Sequence, residues 1–313
     1  MADPAHAGSS AVAYQMVIQH RMSIAEKEIF ARDPRLKSLG KSDLARDPAY
    51  RAAIADGWKQ GMAELLKIAA NTRYFSDSST IVPMDVSRGE AAAGMSIDFY
   101  ARVTAESAGP DRIQYFAPIN ATAVTPDPVA ILDGTKGRAL ELSNHFIEFL
   151  MSREGQLLWI LKTGVPGGPI ERSLRRTPIR RDLYGPHANH ANWTDDGDPF
   201  KTAGGFNQRG EWMALFTDTR PIWVAAWIDA RDALRHAYEK ILAVRDPAQR
   251  KRLIDRLADL PIEMADVEKI RGTRKELEKS AGELDLWRAN QQIEWARKFR
   301  RHYRQIEAQT PAP

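Results

Sequence analysis

The sequence contains no cysteine, which excludes disulfides, thiolate nucleophiles and cysteine-ligated zinc at once. No apolar run approaches the roughly 18 residues that a membrane-spanning helix needs. Aromatic residues make up 8%, and they interleave only sparsely with the basic groups that a nucleic-acid surface would use. Neither sign of charge dominates: 45 Lys and Arg oppose 41 Asp and Glu, for a net +4. That mild excess suits encounter with anions and does not demand nucleic acid. Residues 1–10 include Asp3, Pro4 and His6, with neither a basic start nor an apolar stretch, so no signal peptide is visible. No nucleophile elbow, paired-histidine metal motif or dinucleotide fingerprint occurs. Enzymatic activity therefore has no positive support, and no cofactor is expected. Gly40-Lys41-Ser42 ends like a phosphate-binding loop, but the position that requires the earlier glycine is Arg35, which rules that site out.

What remains is ordinary globular composition. Of 313 residues, 43% are hydrophobic and 27% charged, enough for one large domain or two smaller ones. Ser9 and Ser10 precede an apolar run from Ala11 to Ile29 that fits a helical face, with the hydroxyls as candidate caps. Residues 32–46 read as a surface loop. Asp47-Pro48 starts a helix that runs to Ala70, with Asp at the cap and Pro in the first turn. Gly57 and Gly61 inside it call for a kink or a close packing contact. Pro83 to Arg88 reads as a short helix. Ala91 to Ile97, Arg112 to Ala117 and Thr122 to Leu132 read as strands. Between and after them come helices at Asp98 to Ser107, Lys136 to Met151 and Ser152 to Leu161. Alternation of strands with helices predicts an α/β architecture. Residues 185–210 form a long Gly-, Pro-, Asn- and Asp-rich loop. Beyond Pro221 the chain reads as helix over about 222–243, 247–259, 263–279 and 283–308. The expected division is 1–210, an α/β lobe, and 211–313, a helical extension.

Several groups of residues are candidates for chemistry. Gly8-Ser9-Ser10 opens a helix, where free N–H groups and hydroxyls suit an anion; an ordinary N-cap is the plainer reading. Asp98 and Tyr100 follow the apolar Ala91–Ile97 run, and strand ends in α/β sheets favour ligands; simple capping and packing compete. His187, His190, Asp195, Asp196 and Asp198 offer metal donors without a known ligand spacing, so no metal site is assigned. Arg175, Arg176, Arg180 and Arg181 form one basic group, and Arg297, Lys298, Arg300, Arg301 and Arg304 another; a solvated face is the plainer account of both. Trp287, Trp295, Phe299 and Tyr303 fall along one helical stripe, more suited to core packing than to a ligand platform.

Several segments in order resemble the iron-type branch of the family 1 extracellular solute-binding proteins of bacterial ABC importers. Asp3 to Ser10 resembles that group's Asp-Pro-x-x-Ser-Gly-Ser segment, and Gly57-Trp58-Lys59-Gln60-Gly61 its Gly-Trp-x-x-Gly-Trp turn, with Met62 in place of the second Trp. Ala70 to Phe75, Val82-Pro83, Gly89 to Ala92, Ile97 to Tyr100, Ala130 to Leu132, Phe146 to Gln156 and Gly167-Gly168-Pro169 follow in the family's order. The resemblance implies a lobe of a type II periplasmic binding protein, with lobe two and the returning segments of lobe one present and the opening part of lobe one lacking. It implies binding of a small anionic or metal-linked solute, ferric iron or a chelate included, for delivery to a permease in the membrane. Gly8, Ser9, Ser10, Asp98 and Tyr100 are the implied solute contacts. Asn120, after the strand expected to cross the hinge, joins them. Ferric binders of this group carry adjacent tyrosines where this chain has Phe99-Tyr100, so only one phenolate is on offer. The implied location is the periplasm, or the cytoplasm if the start is genuine, and the implied state a monomer. Two alternatives stand beside it. One is an interaction protein using the basic helical tail; the other is a metal-dependent hydrolase built on His187 and Asp195.

Overall fold

The computed structural model describes residues 1–109, 111–118, 122, 124–125, 127–185, 190–195, 197–202 and 209–311. It is 64% helical and 1% strand, with no sheet among the described residues. The helices are α1 (Gly8–Arg32), α2 (Lys41–Leu44), α3 (Pro48–Ala70), α4 (Ile81–Ser87), α5 (Asp98–Ala108), α6 (Gly137–Met151), α7 (Arg153–Leu158), α8 (Pro199–Thr202), α9 (Gly210–Met213), α10 (Phe216–Trp223), α11 (Arg231–Leu242), α12 (Pro247–Ala258), α13 (Met264–Leu277) and α14 (Ala281–Gln309). Two compact units share the chain. One comprises Met1–Asp85, Ala91–Met95 and Gln208–Pro313; the other comprises Val86–Glu90 and Ser96–Asn207.

The α/β expectation is overturned, and so is the type II periplasmic-binding lobe. Extended pairing among the described residues is confined to two isolated bridges, Ala2 with Ser76 and Leu161 with Trp193. Ala91 to Ile97 is irregular, and Ala92, Ala93 and Gly94 are exposed rather than buried. A strand needs a neighbour to take its N–H and C=O groups, and among the described residues none pairs with it. Alanine and glycine also have little β-preference of their own. Arg112 to Ala117 and the described part of Thr122 to Leu132 are likewise irregular; Pro118 and Pro128 remove ladder donors there.

The first unit is built on an antiparallel pair, α1 against α3. A Cβ on Gly61 would lie 2.5 Å from the Ile18 Cα, and one on Gly57 would lie 2.7 Å from the Met22 Cα. The close packing contact is therefore the role of both glycines. Asp47 caps α3 by accepting the Ala49 and Tyr50 N–H groups at 2.9 and 3.1 Å. Buried Glu26 on α1 accepts the Tyr50 hydroxyl at 2.7 Å and pairs with Arg209. Burial, then Glu26, pushes the Tyr50 pKa up.

Against this pair lie α10 and a π-helical segment, Val224–Asp229. Trp223 and Trp227 stack with centroids 5.7 Å apart, and Tyr14 meets both edge-on at 5.9 and 5.6 Å. All three rings are fully buried; each contributes about 1.5–3 kcal/mol by leaving water. α14 closes the unit with Phe299 and Tyr303, both fully buried; of the rest of the aromatic stripe, Trp295 is partly buried against that core and Trp287 is half-buried. The Tyr303 hydroxyl donates to the Ala226 carbonyl at 3.1 Å, and Arg300 donates to the Asp229 carbonyl at 3.2 Å through Nε. A π segment opens its turn and leaves such carbonyls available.

The second unit has a small core of Ile160, Leu161, Leu183 and Trp193. Ser152 caps α7, its hydroxyl accepting the Gly155 N–H at 3.0 Å. α6 is amphipathic, yet none of its residues is buried, and Leu142, Phe146 and Phe149 are exposed.

Gly61→Ala is expected to lower the unfolding free energy by about 1–3 kcal/mol, the usual effect of overpacking. Gly8, with open space around its Cβ position, is the control, and Gly8→Ala should change stability little; urea denaturation compares the two. A second expectation concerns His302, whose pKa burial lowers while its Nε2 pairs with the Leu257 carbonyl at 3.0 Å. With the folded pKa depressed, the unfolded chain binds this proton first on acidification. Its contribution is whole above the ordinary imidazole range and is lost as pH falls through the folded pKa. The melting temperature should fall between about pH 7 and pH 5, and His302→Gln should show a smaller fall.

Candidate functional site

The expected contact residues lie in different units. Gly8, Ser9 and Ser10 belong to the first and Asp98 and Tyr100 to the second. Asn120 lies outside the described residues.

At the start of α1 the serines do not cap. Ala7 is the cap residue, with φ −106° and no side-chain hydrogen bond. The Ser9 hydroxyl instead lies 3.3 Å from that of Ser79, and Ser10 is buried.

In the second unit Asp98 occupies the first turn of α5, after Ile97 at the cap position. Its charge there complements the helix dipole. The neighbouring rings of Phe99 and Tyr100 have centroids 4.2 Å apart. Around this segment gather three arginines. The Arg176 guanidinium sits 3.7 Å from the Phe99 ring centroid and 5.8 Å from that of Trp159, both within cation–π range. Arg102 sits 4.9 Å from the Tyr115 ring centroid and pairs with Asp195. Arg175 donates to Glu106 at 2.7 Å and to the Thr194 carbonyl at 3.2 Å.

Two electrostatic consequences follow. The hydrogen bond from Arg175 holds the Glu106 carboxyl below its ordinary range. Burial, reinforced by the Asp98 charge and opposed by Arg102, pushes the Tyr115 phenol up. Arg175 has φ +56°, the one described non-glycine residue with positive φ. A long side chain rarely tolerates that region, which costs of order 1–3 kcal/mol and recurs at ligand sites.

Arg176 and Arg102 therefore lie against aromatic rings, and Arg175 is held by Glu106 and the Thr194 carbonyl. Arg102, Tyr115 and Trp159 escaped the sequence reading because their order along the chain carries no motif. The available signal was an arginine pair and, elsewhere in the chain, the aromatic doublet Phe99-Tyr100.

The hydrolase constellation is not assembled among its described members. His190 stacks on Trp193 at 3.9 Å, and its Nε2 pairs with the Leu183 carbonyl at 3.1 Å. Asp195 is taken by Arg102 and by the Gly197 N–H, and Asp198 accepts the Phe200 N–H at 2.9 Å. His187 and Asp196 lie outside the described residues.

No family model matches this chain, and neither does any curated protein or solved structure.

Asp195→Asn leaves the partly buried Arg102 without its counter-ion. It is expected to destabilise the second unit by about 1–3 kcal/mol, read as faster proteolysis within residues 96–207.

Proposed function

We propose that the chain is a binding protein rather than an enzyme, and that it captures a small anionic or metal-linked solute. The observation that carries this reading is the Arg176 guanidinium over the Phe99 ring, with Arg175 next to it in the chain. A guanidinium fork matches carboxylate and phosphate geometry, and an aromatic face beneath it fixes its plane. The carboxylates now paired with these arginines are exchangeable: Asp127 is 74% and Glu106 48% exposed. Exposed ion pairs are weak, so a solute anion displaces them at small cost. Strain at Arg175 supports the same reading, because it aims this side chain at a particular place.

The wider role we propose is that of the solute-binding component of an ABC-type importer, handing its solute to a membrane permease. That role rests on the ordered segments between Asp3 and Pro169 and on the anion chemistry of Arg175 and Arg176. A second reading, an interaction protein, is favoured by the exposed apolar face of α6 at Leu142, Phe146 and Phe149, since contiguous apolar surface marks contact sites.

Calorimetry of the full chain with inorganic phosphate, citrate and ferric citrate tests the solute reading. One saturable site is expected for at least one of these. Arg176→Ala and Tyr100→Phe should each raise its Kd, Arg176→Ala by about tenfold or more. Ser9→Ala reports whether the α1 start takes part. Absence of saturable binding, or affinity unchanged in Arg176→Ala, removes the proposal.

A further inference from the structure

We propose that Asp3, His6 and Asp77, in the first unit, form a site for a borderline divalent metal ion of the Zn²⁺ type. The three donors come from segments more than seventy residues apart and converge on one point. His6 Nδ1 lies 3.1 Å from Asp3 Oδ2 and 3.8 Å from Asp77 Oδ1. All three donor atoms fall within 4.8 Å of one another. Donors bound at about 2.1 Å sit roughly 3.0–3.4 Å apart around an octahedral or tetrahedral ion. The Asp3–His6 edge has that length already. The Asp77 edge needs only a small rotation of a side chain that is 87% exposed.

The charge pattern asks for a cation. Two carboxylates face the same imidazole nitrogen, which carries at most one proton and so satisfies one of them. A metal ion there binds the nitrogen lone pair and both oxygens together. One imidazole with two carboxylates selects an ion that accepts both donor types, such as Zn²⁺, over the oxygen-seeking Ca²⁺ and Mg²⁺. Waters complete the coordination.

The backbone beneath the donors is fixed. The Asp3 N–H donates to the Ser76 carbonyl at 2.8 Å and the Ser76 N–H to the Met1 carbonyl at 3.1 Å. This parallel bridge sets Asp77 beside Asp3. Asp3 Oδ1 accepts the Ala5 N–H at 2.6 Å, which orients the carboxylate as second contacts of metal ligands do. The Tyr14 hydroxyl donates to the Ala2 carbonyl at 2.6 Å and ties the bridge to the core. The site shares no residue with the Arg175-Arg176 cluster and does not depend on the solute reading.

Calorimetry of the full, chelator-treated chain with ZnCl₂ tests the proposal, with CoCl₂ spectroscopy as a second readout. One Zn²⁺ per chain is expected, with a rise in melting temperature and a visible absorption band for Co²⁺. His6→Ala and Asp77→Asn alter exposed side chains and should fold normally; each is expected to weaken Zn²⁺ binding by about tenfold or more. His190→Ala should leave it unchanged, and Mg²⁺ at equal concentration should not compete. Failure of the wild-type chain to bind Zn²⁺ saturably, or equal affinity in His6→Ala, overturns the assignment.

Discussion

Two missing side chains bring α1 and α3 into contact, and the first unit is arranged around that contact. At Gly57 and Gly61 the backbones meet so closely that a methyl group has no room. The approach presses Tyr14, Ile18 and Met22 into the interior, where they meet Trp58, Met62 and the stacked Trp223 and Trp227. Packing at this density transmits small displacements rather than absorbing them. The polar groups on the same faces are consequently specific. Glu26 is held by Tyr50 and Arg209, and the Gln19 side chain accepts the Arg209 N–H at 3.0 Å. These bonds bring the start of the C-terminal segment back onto the first helix.

Much of the helical organisation was legible, and the reasons are local. Asp47-Pro48 and Asp246-Pro247 announce helix starts through side-chain capping and a preset φ, and both open helices where expected. The long amphipathic stretches over α11 to α14 carry enough residues for their period to show. The absence of strands among the described residues was not legible. The seven mostly apolar residues from Ala91 to Ile97 suit a strand, a turn or a coil equally well. Only a partner outside the segment decides among them, and sequence order says nothing about that partner. Ser9 and Ser10 misled for a related reason. Their residue type favours capping, but Ser79 and the interior claim them instead.

The candidate site shows the same limit from the other side. Asp98, Phe99, Tyr100, Arg175 and Arg176 all stand out in sequence, but separately. The meeting of Arg176 with Phe99 is a property of the second unit's tertiary packing, through contacts that carry no spacing rule. Its core is small, and ion pairs surround it: Arg102 with Asp195, Arg175 with Glu106, Arg176 with Asp127. An ionic framework of this kind responds to salt and to added anions more than an apolar one does.

The widened turn at Val224–Asp229 has a consequence for how the last helix finds its place. Its spare carbonyls at Ala226 and Asp229 are matched by Tyr303 and Arg300, three positions apart on α14. Apolar surface alone would let a long helix slide by a turn with modest loss. Two fixed acceptors, one of them deep in the interior, turn that sliding surface into a notch with a single seat. The irregular turn thus specifies the alignment of a helix almost eighty residues downstream.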